Sequence, residues 1–208
     1  MRYFANPSTA RVRDAMTTGL LDAIITPAQG NRLPDGAMWC ADNGCFGKGY
    51  PGDDAYLAWL DARRADAGRC RFAVAPDVPF DAAATLARSA PFLPVIRAMG
   101  YPVALAAQNG LEDLDVPWDD FDVLFIGGDT AWKLGPAARE LAAEAKRRGK
   151  WVHMGRVNSA RRMRYATAIG CDSADGTFIA RGPDTNLPIV LGWQRMANDQ
   201  GALFGAVS

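Results

Sequence analysis

Three short stretches place aspartates where an apolar run gives way to small or turn-forming residues: Asp42 in ADNGCF, Asp77 in APDVP, and Asp172 and Asp175 in GCDSADG. Carboxylates so placed can act as general acid or base, as nucleophile, or as ligands to a cation. The two aspartates of GCDSADG also fit a solvated turn, and spacing alone leaves these readings open. Two further run ends, AAQNG and IGGD, bring Gln108 and the pair Gly127-Gly128, whose backbone amides could cradle an anion. The one histidine, His153, sits in the run WVHMG and reads as a core residue rather than a catalyst. Cys40, Cys45, Cys70 and Cys171 have no CxxC spacing, so they read as free thiols and a structural zinc is not expected.

The runs that carry these residues alternate with helical patterns. RYFANP, LLDAIITP, AMWCADNG, RFAVAPD, PVALAAQNG, DVLFIGGD, WVHMGRV and AIGCDSAD read as eight strands, apolar on both faces and therefore buried on both. Helices are predicted over 8–18, 54–67, 81–99 (interrupted by Pro91 and Pro94), 134–148 and 158–169, with starts at Gly135-Pro136 and Asn158-Ser159 and stops at Gly149 and Gly170. Eight strands separated by helices predict an α/β fold, a compact (β/α)₈ TIM-type barrel, with an open doubly wound sheet as the alternative. The barrel is favoured because the polar signatures fall at strand ends, which a barrel gathers on one face. We expect residues 1–208 to form a single barrel domain.

Composition narrows the class further. The chain has 208 residues, 49% hydrophobic and 22% charged, with 23 basic and 23 acidic side chains. No apolar run approaches the roughly 20 residues that span a bilayer, and MRYFANPSTARVRD is not a signal peptide, so no membrane association and a cytoplasmic site are expected. The zero net charge is unevenly spread: Arg139 to Arg164 holds nine Lys/Arg against Glu140 and Glu144, and Glu112 to Asp122 holds six acids and no base. Part of the basic stretch reads as a solvated helix face. Arg156, Arg161, Arg162 and Arg164 flank a strand-to-helix junction and could meet a polyanion.

In this order the motifs resemble the tRNA-guanine transglycosylases and their DNA-directed relatives, which exchange guanine for a 7-deazaguanine. ADNGCFG is similar to the family's TDSGGF/Y-Q, APDVP to LDE, QNG to QGG, IGGD to IGGL, HMGRV to LMGVG, and GCDSAD to G-x-D-x-x-D. The resemblance runs from about residue 38 to 176. It implies Asp175 as nucleophile and Asp42 as general acid/base. It implies that Asp77, Gln108 and the backbone of Gly127 and Gly128 read the guanine edge, with Phe46 and Met154 sandwiching the base. Asp172 and Gly155 would be supporting residues. The chemistry suits those types: a carboxylate accepts from N1–H and the exocyclic amine, while an amide donates to O6. No cofactor and no metal are implied for the exchange.

The chain departs from the family in ways that matter. After Asp175 it has no Cys or His, so the family's C-terminal zinc-binding segment is expected to be absent. Gly47, Val78 and Asp129 replace the family's Gln, Glu and Leu, and Asp129 is expected to alter the wall near the base's 7-substituent. These losses resemble the DNA-directed branch found in some viruses and bacteria, where the modification evades restriction. The expected reaction is therefore insertion of a free preQ0-type base into DNA, in a host's cytoplasm if the source is viral. The four arginines would contact phosphates, and a homodimer is an expectation carried by the family. The alternatives are the same exchange on tRNA, a non-catalytic nucleobase-binding subunit, and an unrelated barrel acting on phosphorylated sugars.

Overall fold

The computed structural model describes residues 1–47 and 49–205, with side chains through Asp199 except Lys48. Eight parallel strands close into a barrel in sequence order: β1 (Arg2–Ala5), β2 (Asp22–Ile25), β3 (Trp39–Ala41), β4 (Cys70–Val74), β5 (Val103–Ala107), β6 (Val123–Ile126), β7 (Trp151–Met154) and β8 (Ser173–Asp175). β8 returns to β1, with Phe4 opposite Asp175. The predicted (β/α)₈ TIM-type barrel is therefore the fold.

Helices surround the barrel: α1 (Ala10–Thr17), α2 (Asp53–Asp61), α3 (Ala82–Ser89), α4 (Phe92–Ala98), α5 (Thr130–Lys133), α6 (Pro136–Arg147), α7 (Ala160–Ala168) and α8 (Pro183–Gly205). Their ends follow local chemistry. Asp81 caps α3 by accepting from the Ala84 N–H, Ser159 caps α7 by accepting from the Arg162 N–H, and Pro136 opens α6. The predicted helix over 81–99 is two, α3 and α4, with Pro91 standing at the N-cap of the second. Neither β2–β3 nor β5–β6 is bridged by an α-helix; these crossovers hold only short 3₁₀ turns, which is how eight strands fit in so short a chain. None of the described helices is long and apolar enough to cross a membrane.

Strand residues alternate between two cores. Tyr3, Ala23, Ile25, Leu105, Leu124, Ile126, Val152, Met154 and Ala174 pack outwards against the helices. Phe4, Ile24, Cys40, Phe72, Val74, Ala104, Ala106 and Val123 fill the barrel, with Phe125 and Trp151 against them. Stepping by two from the inward set leads to Asp42, Gln108, Gly127, Gly155 and Asp175 at the C-terminal strand ends. The barrel's period-two pleat thus selects which polar residues face one another.

Candidate active site

A pocket at that end is lined by Asp42, Asn43, Phe46, Val74, Asp77, Ala106, Gln108, Phe125, Gly127, Gly128, Gly155, Arg156 and Asp175. Eight of the residues singled out by sequence are among them: Asp42, Phe46, Asp77, Gln108, Gly127, Gly128, Gly155 and Asp175. Arg156 joins them from the backbone-contact group.

Asp42 follows β3, its N–H donating to the Ile25 carbonyl and its carboxylate accepting from the Gly44 N–H. Removal from water, and then the nearby charge of Asp175, push its carboxyl up to about 7. Asp77 is buried, and loss of hydration raises its pKa above the ordinary carboxylate value despite bonds that favour the ionised form. Those bonds come from Asn43 Nδ2 at 2.9 Å and Gln108 Nε2 at 2.6 Å. Asn43 also donates to the Ala75 carbonyl at 2.8 Å and accepts from the Cys45 N–H at 2.7 Å, so it ties the β3 loop to the β4 loop.

Asp175 ends β8. Its Oδ1 accepts from the Arg156 N–H at 3.1 Å, and its Oδ2 lies 2.9 Å from His153 Nε2. The sequence reading of His153 as a core residue holds for its burial but missed this bond. In a barrel, period-two spacing puts 153 and 155 on the face shared by 173 and 175, which is the signal that could have found it.

Four expectations change. Met154 does not sandwich a base: its parity is outward, it is fully buried among the helices, and it does not line the pocket. Asp172 does not support Asp175, because it precedes β8 at the opposite end of the barrel. There it accepts from Lys146 Nζ at 2.8 Å and from the Val152 N–H at 2.8 Å. The N–H groups of Gly127 and Gly128 are not free for a ligand, since they donate to the Ala107 carbonyl and to Gln108 Oε1. Asp129 leaves the pocket wall: it caps α5 through the Trp132 N–H at 2.8 Å and accepts from Asn109 Nδ2 at 2.6 Å.

Gln108 is spent as well as exposed to the pocket. Its Oε1 accepts from the N–H groups of Phe80 and Gly128, each at 2.9 Å, so one amide joins three loops. Arg156 is no outlying phosphate contact. Its backbone takes φ 61°, its guanidinium donates to the carbonyls of Gly127 and Gly128, and it lies 4.4 Å over the Phe46 ring. Phe80, the other non-glycine residue at positive φ among those described, meets Phe46 edge-on at 5.8 Å. Phe46 and Phe80 are 58% and 46% exposed, making an aromatic rim that sequence reasoning half missed.

Of the remaining arginines, Arg162 donates to the Arg156 carbonyl at 3.2 Å, while Arg161 and Arg164 stand exposed on α7. Lys133, also missed, is buried on α5 and donates to the Gly155 carbonyl at 2.7 Å; burial, then the Arg156 charge, lowers its pKa to about 7. Among the described residues no cluster of three His, Cys, Asp or Glu side chains is arranged to hold a metal ion.

No family model and no curated protein matches the chain. Among solved structures it is similar to 3-hexulose-6-phosphate synthase from Salmonella typhimurium, at TM-score 0.51 and 14% identity over 93% of this chain and 96% of that one. At that identity the likeness is one of fold.

Proposed function

We propose that this pocket exchanges guanine in a nucleic acid for a 7-deazaguanine of preQ0 type, through a covalent bond between Asp175 and the sugar's C1′. One observation carries the reading: Asp42 after β3, Asp77 after β4 and Asp175 at the end of β8 line one pocket together with Gln108 and Phe46. Asp77 keeps lone pairs beyond those used by Asn43 and Gln108, enough to accept from a purine's N1–H and exocyclic amine. The second hydrogen of Gln108 Nε2 suits O6, and the Phe46 ring suits a base face.

In the proposed exchange a carboxylate oxygen of Asp175 attacks C1′. The glycosidic bond breaks with its electron pair going to the departing base, which takes the proton held by Asp42. The incoming base then gives a proton to Asp42, and its nitrogen displaces Asp175 from C1′. Two displacements leave the new base on the original face of the sugar. Protonation of Asp42 near neutrality fits the first of these steps.

DNA is the proposed acceptor, its target base drawn out of the stack before reaction. The exposed Phe46 and Phe80 rings beside Arg156 are suited to unstacked bases at the mouth. The hexulose-phosphate synthase likeness raises a phosphosugar reading, but Arg156 is the one cation among the described residues that line the pocket, and its guanidinium already serves two carbonyls and a ring. The test is to incubate the chain with labelled guanine and duplex DNA, single-stranded DNA or tRNA, then run denaturing gels. Label should enter DNA, and a covalent protein–DNA adduct should vanish in Asp175→Asn. Exchange that persists in Asp175→Asn overturns the mechanism, and label in tRNA alone moves the substrate to RNA.

A further inference from the structure

The sequence holds one histidine, and its ring does not reach the pocket surface. His153 is wholly buried inside the barrel, with ring centroids of Phe4, Phe72 and Phe125 at 5.5, 5.1 and 4.6 Å. Both ring nitrogens are nonetheless bonded: Nε2 to Asp175 Oδ2 at 2.9 Å, and Nδ1 to Ser173 Oγ at 2.8 Å. Asp175 is the one ionisable group it bonds. β1, β4 and β6 bring it the three phenyl rings, and β8 brings it Ser173 and Asp175.

The bonding assigns the tautomer. Ser173 Oγ also lies 2.8 Å from Trp151 Nε1, and an indole nitrogen can only donate. Ser173 therefore accepts from Trp151 and has one hydroxyl proton to give, which Nδ1 receives. The ring proton then lies on Nε2, aimed at Asp175. An imidazolium would instead put two donors on Ser173 Oγ and leave the hydroxyl hydrogen without an acceptor among the described contacts.

We infer that His153 is a positioning residue for the nucleophile: the Trp151–Ser173 pair holds it as the Nε2–H tautomer, and its N–H, donated to Asp175, holds that carboxylate aimed at the sugar. The roles of sugar and nucleophile rest on the reading above. Both bonds donate to Asp175, so they favour its ionised form and fix the plane of the carboxylate, while each oxygen keeps a further lone pair with which to attack C1′.

Nitrogen-15 NMR of the intact chain near neutral pH reads the tautomer directly, because a single histidine needs no assignment. A neutral Nε2–H pattern is expected; an Nδ1–H tautomer or an imidazolium overturns the inference. Single-turnover adduct formation reads the positioning role. His153→Leu should slow it by about ten- to a hundredfold, the scale for losing a group that orients a reactive ligand, with free-guanine affinity changed less than about twofold. His153→Gln, whose amide can still donate to Asp175, should recover most of that loss. Equal loss in both folded variants, or loss of guanine affinity rather than rate, overturns it. A wild-type chain that forms no adduct removes the base-exchange reading, and the nitrogen spectrum still decides the tautomer.

Discussion

At Asp42 the protein holds a carboxyl where its proton is favoured, and the consequence for stability has a definite sign. Below about pH 4 the group is protonated in both the folded and unfolded chain and costs nothing. Between there and about 7 the unfolded chain has lost a proton that the fold retains, so stability falls as pH rises; above about 7 the penalty stays constant. Asp42→Asn should therefore gain stability over the native chain across that window, with a ceiling of about 4 kcal/mol. Urea unfolding across the window checks it, and equal stability at neutral pH would mean that the carboxyl is not held protonated. The same variant should lose about 10²- to 10⁴-fold in exchange, the scale of a removed general acid.

Among the elements, the turn after β6 is the most constrained part of the pocket wall. Gly128 has φ 52°, and a Cβ there would strike the Trp132 ring, whose indole N–H donates to Glu112 at 2.9 Å. Gly128→Ala should lose about 1–3 kcal/mol of stability through strain and displacement. It should also weaken guanine binding, because the Gly128 N–H fixes Gln108. Thermal unfolding and base titration measure both, and an unchanged affinity would detach this turn from the site. The strands were legible in sequence as short apolar runs, which located all eight, and six of those runs ended in a polar or glycine signature. What stayed hidden depended on pairing. The first aspartate of GCDSADG falls just outside β8, and Met154 lies one residue off the inward parity, so neither could be placed without the register. Helix α8 escaped because Pro188 and Gly192 interrupt its period, and the four-residue α5 is too short to show one.

Across the whole molecule, the basic stretch read from the sequence divides once folded. Arg147 and Arg148 pair with Glu144, Lys146 with Asp172, and Arg156 turns into the pocket, whereas Arg161 and Arg164 take no ion pair among the described contacts. Replacing both exposed arginines by alanine should lower the slope of log affinity for DNA against log salt by about 1.5–2, with free-guanine binding unchanged. An unaltered slope would exclude them as phosphate contacts. Charge asymmetry was thus visible in the sequence, but the share of it left available to a partner was not. The closure of β8 onto β1, which sets Asp175 opposite Phe4, also gives the site an order in time. During synthesis Asp42, Asp77 and Gln108, which follow β3, β4 and β5, emerge well before Asp175, the proposed nucleophile. If Asp175 is the nucleophile, a nascent chain can hold the groups suited to a base yet stay chemically silent until its last strand docks beside its first.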